Sequence, residues 1–269
     1  MRLIKGFIDI YKAYLKAFFK TQTEYRTSFI TGIFANAFCY FITFMSFWVL
    51  TENFQDIGEW SFHEITILYG INLLSYATAG MFFWGSILCL EDLIVMGDLD
   101  RYILRPFGLI QQMAFTEFGW TFIGQIIIAG FFLIKAYINL DLISVFSIIF
   151  TLYIIIGSVL MQSAAMIFFG SLSFWTTKSM EISELIYYDL RRFTEYPLNI
   201  YPKQICFILT FIIPWALISY FPSCILLSKN NTTFVTVMGH IAPCIGAALF
   251  VFSIAFFYRG IRRYAGTGN

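Results

Sequence analysis

The sequence predicts an all-α polytopic membrane protein with six transmembrane helices. Three observations carry this. Of the 269 residues, 59% are hydrophobic and 12% charged, where a soluble domain has about 45–50% apolar and about 25% charged residues. Several apolar runs reach the roughly 20 residues that a helix needs to cross a bilayer. The lysines and arginines gather on alternate connections, which puts both ends of the chain on one side and requires an even number of crossings. No long polar block marks a second domain, so residues 1–269 read as one transmembrane domain.

In chain order, residues 1–23 form an amphipathic helix. Arg2, Lys5, Asp9, Lys12, Lys16 and Lys20 share one face, and Leu3, Ile4, Phe7, Ile8, Tyr11, Tyr14, Leu15 and Phe18 cover the other. A basic stripe beside aromatic bulk suits the membrane interface, with the lysines toward anionic headgroups. No small-residue cleavage site follows a short apolar core there, so no signal peptide is expected. Spans follow at 27–50 and 62–90, joined by an acidic loop. The second carries Tyr69, Asn72, Ser75, Tyr76 and Thr78, so part of its surface should meet protein or water.

The connection 91–108 reads EDLIVMGDLDRYILRPFG. Gly97 suits the residue after a helix end and Asp98 an N-cap. Pro106 stops what Asp98 starts. This defines a short helix over 99–105, with Leu99, Tyr102 and Ile103 on one side. A third span is expected at 108–134, a short turn at 135–141, a long fourth span at 142–175 and a last span at 235–258. The basic residues of the two ends and of the 91–108 loop share one side, which is the cytoplasmic one by the positive-inside rule.

The stretch between the fourth and last spans admits two threadings. In one, 178–202 stays cytoplasmic and 204–221 is the fifth span. This spares Glu181, Glu184, Asp189, Arg191, Arg192 and Glu195 from lipid, where charges are expensive. In the other, 179–196 is the fifth span and 197–227 is a re-entrant hairpin on the outer side. Pro214 interrupts 204–221 near its middle, and broken backbone at membrane depth is tolerated only where protein or a cavity surrounds it. Both threadings give six crossings.

The sequence offers little for catalysis. No G-x-x-x-x-G-K-[ST] phosphate loop is present. His63 and His240 are far apart, each near an expected outer boundary. The five cysteines, Cys39, Cys89, Cys206, Cys224 and Cys244, are scattered through apolar segments with no CxxC spacing, so no metal site is expected. A net charge of +1 gives no reason for a nucleic-acid partner. The N-x-[ST] patterns around Asn230 and Asn231 are common by chance in polar loops. Glu117, within the expected third span near Gln111, Gln112 and Gln125, is a functional candidate because intramembrane carboxylates usually are. It could line a pathway or pair with an arginine of span five.

The run EYPLNIYPKQICFILTFIIPWALISYFP (195–222) resembles the outer-gate signature of ABC-2 type transporter permeases, a P-L-x-x-hydrophobic-P box followed by a further proline. Pro197, Leu198, Pro202 and Pro214 fit it. The chain departs at Ile213, where the family usually carries Asn. TEYRTSF (23–29), GDLDRYILRPFG (97–108), EYPLNIYP (195–202) and FFYRGIRRYAGTG (256–268) resemble characteristic stretches of its stand-alone permeases of roughly this length, in the same order. The resemblance implies the second threading, with spans one and five as pathway lining and dimer contact. It makes the 99–105 helix a cytoplasmic coupling helix. Leu99, Tyr102 and Ile103 would fill a groove of an ABC ATPase dimer, and Asp98, Asp100, Arg101 and Arg105 would make rim contacts. ATP and Mg²⁺ would be bound by that ATPase, with no cofactor in this chain. Glu117, Glu184, Asp189, Arg191 and Arg192 become candidate lining of a hydrated pathway. The implied function is export from the cell, across the cell membrane, of an amphiphilic or apolar substrate (drug, peptide or lipid-like) by two permease chains, identical or related, embedded in lipid. The alternative is a membrane scaffold or assembly protein that transports nothing.

Overall fold

Backbone N–H and C=O groups in hydrocarbon have no water to bond, so the long apolar runs close their hydrogen bonds within helices. The computed structural model describes residues 26–54, 57–105, 108–176, 179–229 and 232–264. The interfacial helix expected over 1–23, Pro106, Lys178 and the Asn230-Asn231 pair lie outside the described residues. The main helices are α1 (Arg26–Phe54), α2 (Phe62–Phe83), α3 (Leu90–Val95), α4 (Leu99–Ile103), α5 (Leu109–Thr116), α6 (Phe122–Asn139), α7 (Val145–Ser171), α8 (Ser179–Ser183), α9 (Leu190–Arg192), α10 (Lys203–Phe207), α11 (Tyr220–Leu226) and α12 (Thr233–Ile261). No strand occurs among the described residues. Five helical stretches are long and apolar enough to cross a membrane, and a bent pair makes six if counted as one span. The chain is an all-α polytopic membrane protein.

α1, α7 and α12 run somewhat beyond the spans expected at 27–50, 142–175 and 235–258, or end a few residues inside them. The second span ends in a π-helical turn, Trp84–Leu88, before α3. The single third span expected at 108–134 is corrected by the structure to two helices, α5 and α6, with a break between them. There the Gly119 N–H, outside both helices, donates to the Met81 carbonyl of α2 at 2.9 Å. α6 then continues to Asn139, through most of the turn expected at 135–141.

Small residues let the helices approach closely, which is how helices pack where lipid removes any hydrophobic drive between them. At Gly157 of α7 a Cβ would collide with Pro243 of α12, and at Gly246 of α12 one would press on the Gly157 carbonyl. Gly170 of α7 likewise lies against the Ile87 carbonyl of the π turn. The main core joins Phe44 and Phe47 of α1, Tyr69 and Tyr76 of α2, Phe132 of α6, Met161 of α7, and Tyr187 and Trp215. A second cluster caps one end of the bundle, around Ile87, Leu90, Leu99, Tyr102, Met113 and Phe257.

The stretch 179–195 is continuously helical, with a π-helical turn over Glu184–Asp189 between α8 and α9. It lies antiparallel beside α2 along that helix's length. At one end, Ser179 Oγ and Met180 N donate to Glu91 Oε2 at 2.9 and 2.8 Å. Further along, the Tyr188 and Trp84 rings meet at 4.8 Å. Then Arg191 and Thr194 bond Asn72. At the far end, Asn199 Nδ2 donates to the Gly58 carbonyl at 2.6 Å.

The next segment folds back. α10 and the π turn Ile208–Ile212 lead to Pro214, after which Trp215–Leu226 departs at 78°. Its exit lies where it began. Lys229 Nζ pairs with Glu64 at 2.7 Å, stacks over Trp60 and reaches the Glu59 carbonyl, next to Gly58. Glu64 is pre-set for this, since its carboxylate also accepts from Ser61 N at the start of α2 at 2.7 Å. This is the reciprocal half of a capping box.

The α7–α12 crossing makes a testable prediction. Gly157→Leu should lower stability by about 2–3 kcal/mol through overpacking. Gly130→Leu, where an added Cβ meets nothing within 4 Å, should be neutral. Thermal unfolding followed by size exclusion in detergent reads the difference.

Candidate functional site

Three features built by these helices bear on function: a short helix at the Glu91 end, a buried polar knot at mid-depth, and the folded-back segment at the Gly58 end.

The short helix forms because Gly97, at φ +74°, turns the chain out of α3 in a conformation that favours glycine. Asp98 sits at the cap position without capping. Its carboxylate instead pairs with Arg101 at 3.2 Å. α4 ends at Ile103, so the expected helix over 99–105 is shorter by its last two residues. A further correction concerns which side faces out. Leu99 and Tyr102 are 0% and 3% exposed, sealed in the chain's own core against α3, α5 and α12. Their face of the helix is consumed by the domain itself. The outward apolar residues are Val95, Met96, Ile103 and Leu104, with Leu104 84% exposed. Asp100, Arg101 and Arg105 are exposed around them. Burial, and next the Glu117 carboxylate, raise the Tyr102 phenol pKa. Tyr264, beyond α12, packs on the same cluster, and burial with the Asp100 carboxylate beside it raises its pKa too.

At mid-depth, Arg191 is buried rather than open to a pathway, contrary to expectation. Its guanidinium stacks on Tyr76 at 4.1 Å and donates to Asn72 Oδ1 at 3.2 Å. Glu195 lies 3.8 Å away, one helical turn on. Asn72 Nδ2 donates to Thr194 Oγ1 at 2.6 Å, and the Thr194 hydroxyl to the Arg191 carbonyl. Gln162 Nε2 of α7 reaches the same Asn72 oxygen at 3.4 Å, while its Oε1 accepts from the Tyr187 hydroxyl at 3.0 Å. A lone charge at this depth would be prohibitive, and its pairing makes it tolerable. The knot therefore ties α2, α7 and the 179–195 helix together. Glu184, Asp189 and Arg192 lie instead on that helix's exposed face. Glu117 sits in the break between α5 and α6, exposed, and makes no ion pair with an arginine among the described residues.

In the folded-back segment, Pro197 and Leu198 are buried, Pro202 is exposed and Pro214 forms the turn. Pro214 cannot donate a backbone hydrogen bond, and beyond the turn the Ser158 hydroxyl of α7 donates to the Ile218 carbonyl at 2.5 Å. Trp215, 2% exposed, packs on Tyr187 and donates to the Ile186 carbonyl at 3.4 Å. The tip is thus held by the same helix as the knot. The residues that sequence reasoning left unassigned are Gln162 and the exposed Met96 and Leu104. Gln162, a lone amide in the apolar fourth span, carried a signal.

A bundle of apolar helices with a short connector helix at one end and a proline-turned segment at the other makes a multi-pass membrane protein. The chain belongs to a transporter family: the model for the ABC-2 family transporter protein matches residues 37–268. Comparison with curated proteins and with solved structures found no match.

The knot makes a prediction. Arg191→Met strips the pairing from Asn72 and Glu195 and should cost about 3 kcal/mol. Arg191→Lys should restore only part, because an ammonium lacks the planar fork that stacks on Tyr76. Unfolding by SDS titration measures both.

Proposed function

We propose that this chain is the membrane-spanning subunit of an ATP-driven exporter that moves an amphiphilic or apolar substrate out of the cell. Family membership supports the permease role, and the exposed patch of Val95, Met96, Ile103 and Leu104 supports docking of a partner at this end. Four apolar side chains on one connection, ringed by Asp100, Arg101 and Arg105, form a surface suited to a partner groove with a charged rim. The partner is a cytoplasmic ABC ATPase dimer, which holds the ATP and Mg²⁺. The Glu91 end faces the cytoplasm, with both chain ends, because Arg101, Arg105, Arg259, Arg262 and Arg263 gather there.

In this reading the 179–195 helix is the fifth crossing and the segment from Lys203 to Leu226 is a re-entrant outer gate. α1 and the fifth crossing, with Glu184, Asp189 and Arg192 on its open side, face a second permease chain across the pathway. Closure of the ATPase pair pushes on α4. The Leu99–Tyr102 core passes the push to α2 as rigid-body motion, and the Arg191 knot passes it to the fifth crossing. Trp215, held by Ile186 of that crossing, carries it to the gate.

Co-purification tests the coupling surface. Met96→Asp with Leu104→Asp should lower the yield of an ABC ATPase, identified by mass spectrometry, by at least about tenfold, since two buried apolar side chains contribute about 1.5–3 kcal/mol each. The size-exclusion profile of the permease should be unchanged. Retention of the ATPase at full stoichiometry would contradict the assignment.

A further inference from the structure

Between α1, α2, α6 and the π turn of 184–189 lies a cleft of about 340 Å³, at the small end of the range for ligand sites. Its walls include Tyr40, Tyr76, Trp84, Phe122 and Tyr188, and Glu117 is the only charged side chain among the described residues lining it. The rings stand at steep angles to one another. Trp84 meets Tyr188 at 4.8 Å and 89°, and Tyr76 at 6.0 Å and 88°, while Phe122 lies 5.9 Å from both Tyr76 and Trp84. The Glu117 carboxylate lies against Gly85, where an added Cβ would meet Oε2 at 2.9 Å. A side chain at position 85 would displace it. Two π-helical turns, rare elements often found at functional sites, supply Trp84, Gly85 and Tyr188.

From this geometry we propose that the cleft binds an organic cation, a substituted ammonium head carried on a small apolar body. Ring faces attract a cation through their quadrupole, and a carboxylate beside them supplies the countercharge. A neutral donor could bond the carboxylate, and a neutral apolar body could stack on the rings, but only a cation gains from the carboxylate's charge and the ring faces together. Arg191 sets the orientation. It already occupies a face of Tyr76 at 4.1 Å, so its charge repels a cation from that side. The head therefore sits toward Glu117, Trp84 and Tyr188, with the apolar body toward Phe122 and Tyr40. Naming the occupant a transport substrate rests on the permease reading above, but binding needs no ATPase. Failure of binding leaves that reading standing, and failure of ATP-driven transport leaves the site standing.

The test is calorimetric binding of benzyltrimethylammonium to the purified full chain in uncharged maltoside micelles, beside its uncharged carbon isostere neopentylbenzene. The cation should bind, and Glu117→Gln should weaken it about tenfold while leaving the isostere unchanged. Trp84→Leu should weaken the cation as well, and Glu117→Asp should keep most of its affinity, which guards against a folding defect. No binding by the wild type, or equal binding by wild type and Glu117→Gln, overturns the proposal. So does equal loss of both ligands in Glu117→Gln, since the carboxylate would then shape the cleft rather than read charge. Added phosphatidylcholine and phosphatidylglycerol separate the sources. Competition by the first alone identifies a lipid headgroup, and competition by neither identifies a free cation; both keep the shared chemistry. Competition by both indicates acyl-chain binding and overturns it.

Discussion

A guanidinium buried among apolar helices constrains everything near it. Arg191 cannot shed its charge, so the fold must surround it with an aromatic face, an amide oxygen and a carboxylate at once. Tyr76, Asn72 and Glu195 do this. Two of the three belong to α2, so the arginine fixes the rotation and height of the 179–195 helix against α2. A slide by one turn would separate Arg191 from Asn72 and Thr194 from the same amide. Gln162 extends the constraint to α7 through Asn72 and Tyr187. The cost of burying the charge is thereby converted into a single register for three helices.

The proline-turned segment depends on that register. Trp215 rests on Tyr187 and bonds Ile186, both within one turn of the knot. Its two ends are tied separately, Asn199 to Gly58 and Lys229 to Glu64 and Glu59. The segment is thus held at both ends at one level, with its tip resting on a neighbouring helix. The short helix at the opposite end stands on Leu99 and Tyr102 as buried feet. Its apolar residues that face outward are Ile103 and Leu104, beside Met96. The two ends of the bundle are thus linked through α2 and the 179–195 helix rather than through loops.

Length and hydropathy made α1, α2, α7 and α12 readable, because a run of apolar residues that long has few other uses. Gly97 was readable as the end of α3 because only glycine takes that φ cheaply. The side chosen for the short helix was not. Periodicity marks Leu99, Tyr102 and Ile103 as one apolar face but does not say whether the domain itself or a partner covers it. The break in the third span escaped for a related reason. It depends on Gly119 finding the Met81 carbonyl of another helix, a contact with no local trace. Hydropathy prices each charge of 179–195 as if it faced lipid and takes no account of pairing within the bundle. Here Arg191 is paired inside the protein while Glu184, Asp189 and Arg192 share the open face. Asn72 and Tyr76 were visible as polar residues in a span, and Gln162 was an equally plain sign of interhelical bonding.

The proposed mechanism requires that 179–195 cross the membrane and that the segment after it return to the side it came from. Cysteines at Glu181, Asn199 and Lys229, placed one at a time in a background without the native cysteines and probed in intact cells with an impermeant thiol reagent, test it most directly. The proposed threading predicts labelling from outside at 199 and 229 and none at 181 until the membrane is opened. Labelling of 199 from the cytoplasmic side, with 181, would mean that 179–195 never crosses, and would overturn that threading.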